Sequence, residues 1–235
     1  MQVPSTSTFQ AQPAADELAQ VEAARYALMR RLAPTIRHHL IGEFQPLGMI
    51  TALMDRRLQA SAPNISSLRE NSSSLGQMSR SAAESCMKLM TWFAPKESAM
   101  TRLDVGVLDC LSVLTTDFRF RGLVIVNEVK DMPMMLSRTA LRSVLPAALI
   151  ALSDEQPAAA DLRLQARKLG NDVELSIVRI PADRPADNSP TGDYRRLNWR
   201  DVEALARAEA VGLSHAADNV RLIFTSAAAS VASVP

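Results

Sequence analysis

The sequence predicts an α+β protein: an N-terminal helical hairpin, paired with a second copy into a dimeric four-helix bundle, followed by an α/β sandwich. Three observations carry that prediction. Apolar residues before Phe93 recur in steps of four and three, the spacing of a helix seam. After Ala94-Pro-Lys-Glu-Ser98 the pattern changes to short strand-like runs alternating with helical ones. Two β-type runs, 162–168 and 173–178, flank Gly170-Asn171-Asp172, a hairpin turn signal.

Residues 1–15 are rich in Ser, Thr, Gln, Pro and Ala and read as a flexible leader. From Asp16 the pattern turns helical, with Asp16 and Glu17 suited to the positive end of a helix dipole. The seam is Met29, Ala33, Ile36, Leu40, Glu43, Leu47, Ile50 and Met54, with Glu43 its one misfit. Pro34 and Pro46 fall inside this stretch, where each predicts a kink or a break. Ser61-Ala-Pro-Asn-Ile-Ser-Ser67 interrupts the period as the hairpin turn. A second helix over 66–93 carries Leu68, Leu75, Met78, Ala82, Leu89 and Trp92 on one face, closing a hairpin domain over 16–95. Two long helices with narrow stripes bury little alone, which predicts a homodimer.

The second domain, 100–228, should contain helices over 103–116, 137–152 and 199–211 and strands over 123–129, 162–168, 173–178 and 219–226. A Pro/Asp/Arg-rich loop spans 180–197, Asn198 caps the last helix and Gly212 stops it. Residues 229–235 read as a flexible tail.

Of the 235 residues, 47% are hydrophobic and 22% charged, the balance of a globular chain. A net charge of +1 gives no electrostatic reason to expect nucleic acid or an anionic membrane. Cys86 and Cys110 have no metal-ligand or disulfide spacing and read as packing residues. The methionines at 132, 134 and 135 read as adaptable packing, not a metal box. No signal-peptide pattern and no long uncharged apolar run is present, so a cytoplasmic location is expected.

Ile36-Arg-His-His-Leu-Ile-Gly-Glu-Phe44 resembles the phospho-acceptor segment of bacterial two-component histidine kinases and of kinase-like histidine phosphotransferases. The resemblance makes His38 the phospho-acceptor, and the seam places it on the outermost helix position with His39 at the flank. His39 stands where the family has an acid; an imidazole can accept a proton but supplies no fixed negative charge. Gly42 replaces the family's Thr or Asn, and Glu43 its Pro. His38, His39 and Glu43 form the candidate catalytic set.

In the second half, Leu141–Leu152, Val173–Val178 and Trp199–Phe224 resemble the asparagine-bearing helix, the strand entering the adenine site, and the last helix and strand of the kinase ATP-binding domain. In that register the nucleotide site is degenerate. Ala147 and Ala151 replace the asparagines that would hold magnesium and phosphate, and a methyl offers a cation no oxygen. Arg179 replaces the adenine-binding aspartate, a donor where an acceptor is needed. Pro181 replaces a glycine, and lone Gly192 cannot build a phosphate-binding lid. No cofactor and no metal are expected.

The resemblance implies an ATP-independent histidine phosphotransferase that exchanges phosphoryl groups with response-regulator receiver domains through His38. The alternatives are a pseudokinase adaptor binding a response regulator or an active histidine kinase, an active kinase with an unusual nucleotide site, and a dimeric helical regulator of another kind. Arg184, Arg195 and Arg196 read as solvated loop residues, His215 as loop surface, and Tyr194 and Trp199 as interface residues or a cover for the open end of the domain.

Overall fold

The computed structural model describes residues 12–93, 99–186 and 195–226. The leader up to residue 11, the linker residues 94–98, the loop residues 187–194 with Gly192 and Tyr194, and the tail lie outside the described residues. The architecture is α+β: α1 (Gln12–Leu58), α2 (Ile65–Phe93), β1 (Met100–Arg102), α3 (Leu103–Ser112), α4 (Thr115–Phe120), β2 (Leu123–Asn127), β3 (Met135–Ser137), α5 (Arg138–Glu155), β4 (Ala160–Leu169), β5 (Asp172–Pro181), α6 (Trp199–Ala208), β6 (Gly212–Ala216) and β7 (Asn219–Thr225). Packing divides the chain into two compact units, Leu32–Lys96 and a second one made of Met1–Arg31 with Glu97–Pro235.

In the first unit, neither proline breaks α1, which runs as one 47-residue helix through Pro34 and Pro46. The helix begins at Gln12, four residues earlier than the acidic pair at 16 and 17 suggests. Along the seam Ile36 is buried and Leu40, Glu43, Leu47, Ile50 and Met54 are half-buried, whereas Ala33 is exposed. Leu68, Ala82, Leu89 and Trp92 form the buried face of α2. The turn is narrower than its sequence suggests, because Asn64 Oδ1 accepts from the Ser67 amide at 3.0 Å and starts α2 at Ile65.

In the second unit, the main sheet has the order β2-β4-β5-β7-β6, with β2 and β4 parallel and the other pairs antiparallel. Alternate residues of β4, β5 and β7 are buried, among them Leu162, Leu164, Val173, Leu175, Ile177, Val220, Leu222 and Phe224. One face therefore meets the helices while the other carries polar residues. Burying each of the larger side chains stabilises by about 1.5–3 kcal/mol. β1 and β3 pair separately.

Three local differences from the sequence pattern occur in the second unit, which also contains one required glycine. The helix expected over 103–116 breaks after Ser112, where the Leu114 amide bonds Leu111 O at 3.1 Å and the Thr115 hydroxyl bonds the same carbonyl at 2.7 Å. Gly212 does not stop α6; it lies in β6, close against Ile223. The stop is Ala210, at φ 52°, with the Val211 amide on Ala206 O (2.8 Å) and the Ala210 amide on Arg207 O (3.2 Å), a Schellman motif with alanine where glycine is usual. His215, expected on a loop, sits in edge strand β6. Gly122, at φ 74°, is a required glycine, because a Cβ there would meet Pro185 O at 2.6 Å.

Two outcomes follow from this packing. Ala210→Gly should stabilise the protein by about 0.5–1 kcal/mol in chemical denaturation, since glycine adopts a left-handed angle without the Cβ penalty. Cys110 is completely buried, and burial pushes its thiol well above the usual range, opposed only in part by Arg142. Iodoacetamide at neutral pH should therefore label half-buried Cys86 alone in the native protein and both cysteines in urea, as read by mass spectrometry.

Candidate functional site

Helix periodicity positions the candidate acceptor. In α1, Ile36 and Leu40 face the hairpin seam, so His38 between them points away and is exposed. His39 and Glu43, one turn apart, are both half-buried at the flank. Gly42 leaves open space around its Cβ position, so no steric demand explains it. An exposed imidazole has a lone pair available to an approaching electrophile, which a buried one lacks.

The positions read as a degenerate nucleotide site, Ala147, Ala151, Arg179 and Pro181, lie in the second unit. In α5 the Ala147 and Ala151 positions are 0% and 3% exposed, so both methyl groups are core. An asparagine at either position would place its amide among buried apolar neighbours. Arg179 is likewise buried in β5, where its guanidinium donates to Gln156 O at 3.2 Å and Ala158 O at 2.7 Å and lies 3.8 Å from Asp218. It ties β5 to the chain leaving α5, a structural use of the position. Pro181 ends β5, opposite Ala160. Among the described residues no group of His, Cys, Asp and Glu could hold a metal ion.

Several side chains read as loop surface or interface have partners within the chain. Arg184 pairs with Asp161, and Arg195 grips fully buried Asp201 through two bonds of 3.0 and 2.7 Å. Arg196 is exposed. Trp199 stacks on His215 at 3.9 Å between ring centroids and donates from Nε1 to Glu155 at 2.7 Å. Asn198 does cap α6, with Asp201 completing a capping box. The Asn-x-x-Asp spacing was the available signal for Asp201.

One feature had no sequence signal. Residues of α1 up to Arg31 pack with the sheet unit, burying Ala24, Ala27 and Leu28 on a stripe of helical spacing. Along it Glu17 pairs with Arg207 (3.3 Å), Gln20 donates to Asp201 (3.1 Å), and Arg25 pairs with Glu209 (3.2 Å). Arg31 meets Asp117 at 3.2 Å and Asp154 at 3.7 Å, and Arg121 bonds Asp154 at 2.6 Å. The hairpin expected over 16–95 thus gives its first turns to the other unit.

A helical hairpin followed by an α/β sandwich defines the class of fold. No protein-family model matches the chain, and no curated protein matches it. Among solved structures it is similar to the histidine kinase AdeS of Acinetobacter baumannii, with 15% identity and a TM-score of 0.40 over 77% of this chain and 96% of that one. It is also similar to the blue-light activated histidine kinase of Erythrobacter litoralis, with 9% identity and a TM-score of 0.42 over 83% of this chain and 62% of that one. A bacterial phosphotransferase aligns over 95% of this chain and 100% of its own, at 13% identity and a TM-score of 0.33. Among the described residues no helix is long and apolar enough to cross a membrane.

Restoring asparagine at the buried α5 positions should damage the fold without creating a site. Ala147→Asn and Ala151→Asn are each expected to cost on the order of 2–4 kcal/mol in urea unfolding. Neither should gain binding of ATP with magnesium by calorimetry.

Proposed function

We propose that the chain is a two-component signalling protein that carries phosphoryl groups on His38 between receiver-domain aspartates, independently of ATP. The observation that carries this reading is the contrast between an exposed His38 on the hairpin and the core-buried Ala147, Ala151 and Arg179 of the sheet unit. In the transfer, the lone pair of one ring nitrogen of neutral His38 attacks phosphorus. The N–P bond forms as the P–O bond to the aspartate breaks, and that electron pair leaves on the carboxylate. The other ring nitrogen keeps its proton in the resulting phospho-imidazolium. Return to a second aspartate reverses these steps. His39 and Glu43, half-buried on the adjoining flank, are the residues to which this reading gives the supporting acid–base role.

A homodimer belongs to this reading. The hairpin exposes large apolar side chains on both helices, including Ile41, Phe44, Met49, Met87, Met90 and Phe93. Exposed apolar surface on that scale marks an association face, and a second hairpin supplies matching stripes.

A specific observation also favours an adaptor that binds a response regulator or an active kinase without chemistry: His39 occupies the place of the acid in the resembling motif. Incubation with a panel of phosphorylated receiver domains separates the two. Label should appear on the wild type, vanish in His38→Ala and arrive roughly 10²-fold more slowly in His39→Ala. Stable receiver binding with no label, unchanged by His38→Ala, would establish the adaptor instead. Labelling from ATP alone would overturn the ATP-independent mechanism.

A further inference from the structure

Strand pairing in the sheet unit aligns a polar row on the face turned away from the helices. Ser176 of β5 lies opposite Arg221 of β7, and Arg221 in turn lies opposite Ser214 of β6. Along β5 and β7 these positions alternate with buried Leu175, Ile177, Val220 and Leu222, so the row stands on the open face. Paired positions are about 4.5–5.5 Å apart between Cβ atoms, which sets an arginine, with its fork of N–H donors, between two hydroxyl residues.

The row is chemically unsatisfied. Arg163 and Arg167 of β4, on the same face, each have a carboxylate partner, Glu128 and Glu174, both at 3.1 Å. Among the described residues Arg221 has none, and neither serine hydroxyl has a hydrogen-bond partner. Aliphatic side chains flank the row: Ile223 follows Arg221 on β7, and Val178 and Ile180 continue β5 beyond Ser176. Val178, Ile180 and Ile223 are 37%, 38% and 37% exposed. An antiparallel sheet with one face in water ordinarily alternates apolar inward and polar outward. Outward aliphatic positions beside an unpaired cation instead suit a surface that something covers.

Arg221 decides what can cover it. A wholly apolar segment would strip water from the guanidinium and return no hydrogen bond. A basic segment, or a second copy of this face with its own unpaired Arg221, would add like charge. A carboxylate satisfies the fork with charge-assisted bonds. We propose that the open face of the sheet is a docking surface for an acidic, aliphatic segment of a partner protein. Arg221, Ser176 and Ser214 hold a carboxylate of that segment, and its aliphatic side chains cover Val178, Ile180 and Ile223. The surface lies wholly within the sheet unit and makes no use of His38, so it stands or falls apart from phosphoryl transfer.

The test is selection of displayed random peptides on the full chain, with soluble Arg221→Glu protein in excess as competitor. Surviving sequences should carry Asp or Glu among Leu, Ile or Val. A synthetic peptide of the selected sequence should bind the wild type in calorimetry and lose at least about tenfold in affinity for Arg221→Gln and for Ile180→Ser. The double variant Ser176→Ala Ser214→Ala should lose several-fold, and His38→Ala nothing. Lysine in place of the peptide's acid should restore binding to Arg221→Glu. All these positions lie at the surface or half-buried, and urea midpoints matching the wild type confirm that each variant is folded. Survival of no peptide, survival of sequences without an acid, or equal affinity for the wild type and Arg221→Gln would each overturn the docking surface. So would a change in the protein's own oligomeric state in Arg221→Glu, read by sedimentation, because a second copy would then be the occupant.

Discussion

The burial of α5 is the constraint on which the sheet unit depends. Thirteen of its eighteen residues are buried, more than one face of a surface helix would bury. With a sheet beneath it and α3 and α6 beside it, such a helix tolerates few polar groups. Two of those present have local partners: Arg142 meets Asp109 at 3.3 Å, and Ser153 bonds back to Ile150 O at 2.9 Å. Alanines at 147 and 151, both buried, suit this packing.

The hairpin unit shows the opposite balance. Its seam is only half-buried over much of α1, while large apolar side chains remain exposed on both helices. A unit that buries so little internally gains most from association. Its backbone is also loosely specified. Pro34, Pro46, Gly42 and Gly48 all fall in the stretch that carries His38, and neither glycine is imposed by a close neighbour. Continuity of α1 must therefore come from packing more than from intrinsic helix propensity.

Much of this was legible in the sequence where the signal is local and periodic. The four-and-three spacing located the seam from Ile36 to Met54, and the Gly-Asn-Asp turn located the β4–β5 hairpin. Asn198 announced α6. Edge strand β6 was missed because Gly-Leu-Ser-His-Ala has no alternation to reveal it; only its partner β7 makes it a strand. β1 and β3 are too short for a periodic signal. Ala210 as the α6 stop contradicts the usual glycine, and its carbonyl contacts, not its residue type, give it away. Packing of the first turns of α1 within the sheet unit depends on ion pairs across the chain, such as Arg31 with Asp154, which no window of sequence contains. In the candidate site, exposure of His38 followed from the seam, while burial of Ala147 and Arg179 required tertiary structure.

Replacement of an acid by His39 has a chemical consequence for any transfer at His38. A carboxylate beside an acceptor imidazole favours the protonated ring and stabilises positive charge formed on attack at phosphorus. A neutral imidazole accepts the same hydrogen bond without that electrostatic gain, and on protonation it accepts nothing. The remaining carboxylate on this flank is Glu43, one turn from His39. Under the acceptor reading of His38, His39 and Glu43 divide a hydrogen-bond acceptor and a negative charge between two side chains. A carrier that must both accept and release a phosphoryl group benefits from a weaker local field, because strong stabilisation of the phospho-imidazolium would slow its return.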